Sequence, residues 1–189
     1  SGKAGVTHFH VGEEETRLEP LREIVEDFRV KPEWLYPTHV QRNEKLLREA
    51  IDLAKAGAHV DFDVVNEDVA RWLRFYLDSG GPLDALTISS DADSSTPDIF
   101  FQQLRGLVTD HGFALETVLP LVTSTPADFL KLNGHGHLRP GCIADVVVLD
   151  ARSLEIRDVI ARGERVVANG SLALRERYLE KSKRAVAII

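Results

Sequence analysis

In the first part of the chain, segments with the apolar pattern of a β-strand alternate with segments whose apolar residues have helical spacing. Strand-like apolar runs cover residues 4–10, 34–39, 59–65 and 85–90. Segments with apolar residues at helical spacing follow them at 18–28, 43–57, 67–80 and 98–112. Asn43 is a suitable cap for the second helix, Gly57 a suitable stop, and Pro97 a suitable opening for the fourth. Four successive strand–helix units indicate parallel strands joined by right-handed crossovers.

The pattern changes after residue 112. Two short helices, around 115–122 and 126–132, precede three strand-like runs at 144–150, 155–163 and 164–170, each ended by a turn signal. These runs predict a small antiparallel module with a hinge at Pro140-Gly141, and the apolar tail 185–189 predicts a further docked strand. A closed eight-stranded α/β barrel usually takes about 250 residues. The residues before the hinge therefore fit either an open four-stranded sheet or half of a barrel, and we expect domains at 1–139 and 140–189.

Composition narrows the class of protein. Among 189 residues, 23 Lys and Arg against 30 Asp and Glu give a net charge of −7, which disfavours nucleic-acid binding. The single cysteine, Cys142, excludes an intrachain disulfide and fits a reducing compartment. No apolar run approaches the roughly 20 residues that a membrane-spanning helix needs. We expect a cytoplasmic protein without nucleic-acid or membrane partners.

Possible metal ligands end three of the four strand-like runs: His10, His39 and Asp91. Each alone has an ordinary interpretation, as a structural or surface histidine or as the cap of a turn. Their shared position favours a metal site, because the carboxyl ends of parallel strands meet at one face of a barrel. Imidazole and carboxylate suit zinc, which activates water for hydrolysis. His8 lies on the same strand face as His10 and is assigned a supporting or incidental role, whereas His59 begins its strand and is assigned a structural one.

Four segments resemble a known family: "GVTHFHVGEE", "PTHVQRN", "ISSDADSSTP" and "GHLRPGCIADVVVLD" with its later "VIARGERVVANG". Together they resemble the C-terminal half of the isoaspartyl (β-aspartyl) dipeptidases of the amidohydrolase superfamily, from residue 1 to about residue 172. The resemblance implies an α/β fold. Residues 1–139 would form strands five to eight of a TIM-type (β/α)8 barrel, and residues 140–189 a small β-sandwich-type module that completes the fold.

The resemblance also assigns roles to individual residues. His10 and His39 match ligands of one metal in a binuclear zinc centre, and Asp91 matches the aspartate that contacts the other metal and acts as general acid and base. Arg42 and Ser95 match residues that bind substrate, Arg42 through the substrate's carboxylate. The chain reads "DADSS" where the family usually has glycines. The remaining zinc ligands, including a carboxylated lysine, are expected outside this chain.

The resulting hypothesis is zinc-dependent hydrolysis of β-aspartyl dipeptides, with this chain supplying the second half of the active site. Two alternatives stay open: another amidohydrolase that acts on cyclic amides or N-acyl amino acids, and a non-catalytic assembly or binding fragment. Half of a barrel would leave two open strand edges and an uncovered apolar interior. We therefore expect the N-terminal half of the barrel on another chain, with its removal as the less favoured alternative. The family resemblance also implies a homo-oligomer.

Overall fold

The computed structural model describes residues 5–65, 68–92 and 96–173. The chain divides into two compact units, Ser1–Leu132 and Asn133–Ile189. This division by compactness differs from the predicted domains 1–139 and 140–189, which stay a prediction. Within the second unit, the Ile143 N–H donates to the Gly134 carbonyl at 2.8 Å. The predicted strand at 185–189 lies outside the described residues.

The first unit is a parallel sheet with helices between its strands, as predicted. Its strands are β1 (Thr7–His10), β2 (Leu35–Thr38), β3 (Val60–Asp63) and β4 (Leu86–Ser89), in the spatial order β1-β2-β3-β4. Its helices are α1 (Glu19–Glu26), α2 (Glu44–Lys55), α3 (Val69–Asp78), α4 (Pro97–Thr109), α5 (Leu115–Val118) and α6 (Ser124–Phe129), and short 3₁₀ turns lie at Pro32–Trp34, Leu83–Ala85 and Leu119–Val122. Among the described residues, no helix combines the length and apolarity that crossing a bilayer requires.

One face of this sheet forms the apolar core. Strand residues on that face pack against apolar residues of the helices, and the fully buried members include Leu35, Val60, Phe62, Leu86, Leu46, Leu47 and Leu73. Helix α2 shows how the sequence sets this packing. The Asn43 side chain accepts the Leu46 N–H at 2.9 Å, so the helix begins there, and Gly57 follows its end with φ 111°. Right-handed crossovers between adjacent parallel strands place these helices on one side.

The opposite face of the sheet is polar. Alternation along the four strands gives it these residues: His8, His10, Tyr36, Thr38, Asp61, Asp63, Thr87 and Ser89. The expectation of an uncovered apolar interior is therefore wrong, because the aliphatic residues of each strand all take the helix-covered face. The polar face brings ionisable groups from different strands together.

Helix α6 contributes an aromatic contact to the start of the polar face. The Phe129 ring stacks on His59, with ring centroids 4.0 Å apart, and meets Tyr36 edge-on at 4.8 Å. His59 directly precedes β3, and its N–H donates to the Leu35 carbonyl at 3.1 Å. This packing is the kind of structural role that the sequence predicts for His59.

The second unit contains a four-stranded antiparallel sheet. Its strands are β5 (Val146–Leu149), β6 (Ile156–Ala161), β7 (Glu164–Ala168) and β8 (Ser171–Leu172), paired in that order. The first three correspond to the predicted strands, and β8 extends the sheet by a short strand that the sequence pattern did not indicate. Asp158 of β6 pairs with Arg165 of β7 across the hairpin. An antiparallel module of this size was the prediction for this part of the chain.

Candidate active site

Two of the predicted ligands meet at the carboxyl ends of β1 and β2. His10 is the last residue of β1 and pairs with Thr38, so the following residue, His39, emerges beside it. The Nδ1 atom of His10 lies 3.0 Å from the Nε2 atom of His39. The parallel register of the two strands produces this contact between residues 29 positions apart.

His39 is held in an unusual backbone conformation. Its φ angle is 65°, in the left-handed region that few residues with a β-carbon adopt. The residue is 9% exposed. Strained backbone of this kind tends to occur at functional sites, where surrounding contacts hold it. One such contact for His39 is a carboxylate behind the ring.

That carboxylate belongs to Asp63, the last residue of β3. Asp63 Oδ2 lies 2.6 Å from His39 Nδ1 and also accepts the Gln41 side-chain amide at 2.9 Å. The other oxygen, Oδ1, accepts the Val65 N–H at 2.9 Å, and the Arg42 guanidinium lies 3.7 Å from Oδ2. Burial raises the pKa of Asp63, but these hydrogen bonds and the Arg42 charge outweigh burial and leave the pKa below its ordinary value. Asp63 is therefore a buried, ionised acceptor.

Sequence reasoning missed Asp63, although a signal was present. The third strand-like run contains the alternating stretch "VDFD", which puts two carboxylates on one face and ends the strand with the second. All four strand ends thus carry a histidine or an aspartate at or just beyond them.

The other predicted site residues have separate positions. Asp91 follows β4 by two residues, is half-buried and has a left-handed backbone with φ 45°. Within the described ranges, no three His, Cys, Asp or Glu side chains lie close enough together to hold one metal ion, so Asp91 does not complete a set with the two histidines. Arg42 lies beside Asp63, as described above. Ser95 lies outside the described residues.

His8 supports the pair from the same strand face. Its ring stacks on Tyr36 with centroids 4.6 Å apart and is tilted against His10 at 5.1 Å. Burial, followed by electrostatic interaction with the His10 and His39 rings, lowers the pKa of His8. His8 therefore packs beside the His10–His39 contact without taking part in it.

A second buried carboxylate, Asp61, lies on the same strand as Asp63 but has different partners. Its two oxygens accept hydroxyl groups from Tyr36 at 3.2 Å, Thr87 at 2.5 Å, Thr38 at 2.7 Å and Ser89 at 2.6 Å. Burial raises the pKa of Asp61, and the hydroxyl hydrogen bonds oppose this shift without cancelling it. Asp61 therefore joins β2, β3 and β4, and the contacts that it makes within the described part of the chain are to hydroxyl groups rather than to the histidine pair.

Comparison with known proteins identifies the family. The profile of the amidohydrolase family matches residues 7–166. The chain belongs to the amidohydrolase family. Among solved members of similar fold, a β-aspartyl dipeptidase from Fervidobacterium islandicum AW-1, in complex with a β-Asp-Leu dipeptide, is 30% identical over 94% of this chain, with a TM-score of 0.83. A second crystal structure of β-aspartyl dipeptidase from that organism gives 30% identity, 94% coverage and a TM-score of 0.84.

This amidohydrolase chain spans about half the length of those two structures, 51% and 49% of their chains. A more distant structure, the atrazine chlorohydrolase of Arthrobacter aurescens TC1 complexed with zinc, is 18% identical over 93% of this chain and 46% of that one. Its TM-score of 0.62 indicates a shared fold.

The two histidines fit a metal ion as a pair of ligands. Nitrogen ligands lie about 2.0–2.1 Å from zinc, so two of them at the tetrahedral angle stand about 3.3–3.4 Å apart. The observed separation of 3.0 Å is shorter by about 0.3 Å, a difference that a small movement of either ring closes. Catalytic zinc sites use about three protein ligands. The described part of this chain therefore offers a partial site that further ligands must complete.

Proposed function

We propose that this chain supplies half of the active site of a zinc-dependent amidohydrolase that cleaves β-aspartyl (isoaspartyl) dipeptides. The observation that carries the proposal is the contact between His10 Nδ1 and His39 Nε2 at the carboxyl ends of adjacent strands. Similarity over 94% of the chain to an enzyme crystallised with β-Asp-Leu supports the substrate class. In this proposal the first unit provides strands five to eight of a (β/α)8 barrel, and the second unit completes the fold.

The proposed metal centre divides its ligands between this chain and the other half. His10 and His39 would hold one zinc ion, and Asp91 would contact a second. The remaining ligands, including a carboxylated lysine, come from polypeptide outside these 189 residues. When bound, the zinc pair polarises the scissile carbonyl and activates water. Asp91 would serve as the general base and acid, accepting a proton from the attacking water and returning it to the departing amine, which must be protonated to leave.

Arg42 is the proposed recognition residue. It follows His39 by three positions, and its guanidinium lies 3.7 Å from the Asp63 carboxylate that also contacts His39. A planar guanidinium can pair a substrate carboxylate through two parallel hydrogen bonds, which lysine cannot reproduce. Arg42 directly precedes the cap of α2, where the helix dipole disfavours a cation, so a negative partner explains its position better than helix stability does.

Turnover by the complete protein tests the substrate class. We expect hydrolysis of β-Asp-Leu, with far slower hydrolysis of its α-linked isomer and of a cyclic imide. Replacing Arg42 by Ala should lower kcat/KM for β-Asp-Leu about 10- to 100-fold, mainly through KM, because a hydrogen bond to a charged group is lost. The zinc content should stay unchanged, and Arg42→Lys is the matched control that keeps the charge without the planar fork.

Other results would assign a different function. Preference for the cyclic imide or for N-acyl amino acids would support another amidohydrolase activity. Absence of zinc uptake by the complete protein would support a non-catalytic module. Equal activity of Arg42→Ala and the unchanged protein would remove Arg42 from substrate recognition.

The partner proposal follows from the polar sheet face and from the length of the related structures. We propose that a companion polypeptide with the first four barrel strands joins this chain, and that the joined units form a homo-oligomer. Intact mass measured beside a denaturing gel distinguishes the cases. A single 21.0-kDa species in active material would contradict the companion polypeptide.

A further inference from the structure

We propose that Asp63 is a positioning residue that fixes the tautomer of His39, so that the Nε2 atom of His39 carries the lone pair facing His10. The proposal rests on the metal site proposed above, because that lone pair is the one His39 would offer to zinc. Nothing in the sequence pattern alone assigned Asp63 a role. Its side chain lies behind His39, on the far side of the ring from His10.

For a neutral His39 imidazole, the contacts on its two ring nitrogens are compatible with one position of the proton. A neutral imidazole has one N–H and one bare nitrogen. An ionised carboxylate can only accept, so the 2.6 Å contact to Asp63 Oδ2 requires His39 to donate from Nδ1. The bare Nε2 then faces His10 Nδ1 at 3.0 Å. Carboxylates that hold the second nitrogen of a metal-binding histidine in this way orient the ring and strengthen metal binding.

The surroundings of Asp63 keep both of its oxygens as acceptors. The side chain is 0% exposed, Oδ1 accepts the Val65 N–H, and Oδ2 accepts the Gln41 amide as well as His39. Gln41 is also fully buried and directs its amide N–H groups at the carboxylate and the backbone carbonyl of Asp63. This orientation leaves Gln41 Oε1 without a hydrogen-bond partner among the described residues. The Gln41 amide is therefore oriented so that its N–H groups donate to Asp63, although its own carbonyl oxygen then lacks a donor among the described residues.

Asparagine at position 63 cannot reproduce these contacts. If its oxygen accepts the Val65 N–H, its amide nitrogen faces His39 and donates to Nδ1, which moves the imidazole proton to Nε2. If its oxygen faces His39, its amide nitrogen opposes the Val65 N–H, and two donors meet. The substitution Asp63→Asn is nearly isosteric, so it changes hydrogen-bond polarity with little change in packing.

Asp61→Asn is the matched control. Asp61 lies two residues earlier on the same strand and the same face and is equally buried at 0% exposure. Among the described residues, its hydrogen-bond donors are all hydroxyl groups. Hydroxyl groups can rotate to accept from an asparagine amide. This control tests whether a lower zinc affinity or a changed His39 tautomer comes from replacing any buried carboxylate of β3 or specifically from losing the carboxylate that contacts His39.

The experiment uses the complete, metal-free protein with ¹⁵N-labelled histidine. Long-range ¹H–¹⁵N NMR at alkaline pH, where a free imidazole is neutral, reports which ring nitrogen carries the proton. The His39 signal is assigned by its loss in His39→Gln. We expect an Nδ1–H tautomer in the unchanged protein and in Asp61→Asn, and a shift toward Nε2–H in Asp63→Asn. Zinc titration against a chromogenic chelator should show affinity lowered about 10- to 100-fold in Asp63→Asn and retained in Asp61→Asn.

An Nε2–H tautomer of His39 in the unchanged protein overturns the proposal, and this result needs no variant to fold. Unaltered zinc affinity in a folded Asp63→Asn protein also overturns it. If the unchanged protein has the Nδ1–H tautomer but takes up no zinc, the role of Asp63 in setting the tautomer is supported and the metal site of the proposed function is refuted. The two proposals can therefore fail separately.

Discussion

Replacing Thr87 by Val tests how the polar sheet face is held together. Thr87 lies on β4 and is 2% exposed. Its hydroxyl donates to Asp61 Oδ1 at 2.5 Å and lies 2.7 Å from the Tyr36 hydroxyl. Valine has nearly the same shape, so the substitution removes a hydroxyl without creating a large cavity. The change in stability therefore reports mainly the hydrogen bonding of Asp61.

The size of the effect follows from the charge of the acceptor. A hydrogen bond to a charged group contributes about 1.5–3 kcal/mol, roughly twice the value for a neutral pair. Without the Thr87 hydroxyl, the Tyr36 contact at 3.2 Å is the remaining hydroxyl contact of Asp61 Oδ1 among the described residues. At pH values above the raised folded pKa of Asp61, where its carboxylate is ionised, we expect Thr87→Val to lower the free energy of unfolding by about 2 kcal/mol.

Urea denaturation followed by tryptophan fluorescence measures this loss, since Trp72 is 6% exposed in the core of the first unit. The same substitution in an Asp61→Asn background supplies a double-mutant cycle. There the acceptor is neutral, and the cost of Thr87→Val should fall to about 1 kcal/mol. Equal costs in both backgrounds, or a cost below about 0.5 kcal/mol in the unchanged protein, would refute the expectation that the Thr87 hydroxyl donates to an ionised Asp61 at the pH of the measurement.

Two further predictions concern stability. Burial raises the pKa of Asp61 above its ordinary value of 3.8. Between pH 3.8 and the raised folded pKa, the folded protein therefore keeps a proton that the unfolded chain has lost. The contribution of Asp61 to the free energy of unfolding falls as pH rises through this range. The free energy of unfolding of the unchanged protein minus that of Asp61→Asn should therefore decrease across this range in urea titrations; an increase would contradict the direction of the shift. Asn43→Ala should cost about 0.5–2 kcal/mol by removing the cap on the Leu46 N–H, whereas Asn43→Asp retains an acceptor and should cost less in the same assay.

Much of the first unit could be predicted because its signals are local. Asn43 and Gly57 bracket α2 through capping and a left-handed turn, both of which depend on only a few adjacent residues. The meeting of His10 and His39 could be anticipated from one general property, that parallel strands end at a common edge. These predictions needed no knowledge of side-chain contacts.

The contacts that organise the site depend on register and could not be predicted from the sequence. Pairing of Thr38 with Asp61 fixes where β3 lies against β2, and this alignment places Asp63 behind His39. Alternation along a strand implies that Asp61 and Asp63 share a face, but it does not determine which face the helices cover. The predicted roles of Asp91 and Arg42 derive from family resemblance and stay predictions.

The polar sheet face has a thermal consequence. Burial of apolar surface lowers the heat capacity of a complex, whereas burial of polar surface changes it in the opposite direction and by less. A face made of imidazole, hydroxyl and carboxylate groups therefore gives a weak calorimetric signature when another polypeptide covers it. If a companion polypeptide joins this face as proposed, the association should show a smaller negative heat-capacity change than closure of an aliphatic surface of equal area.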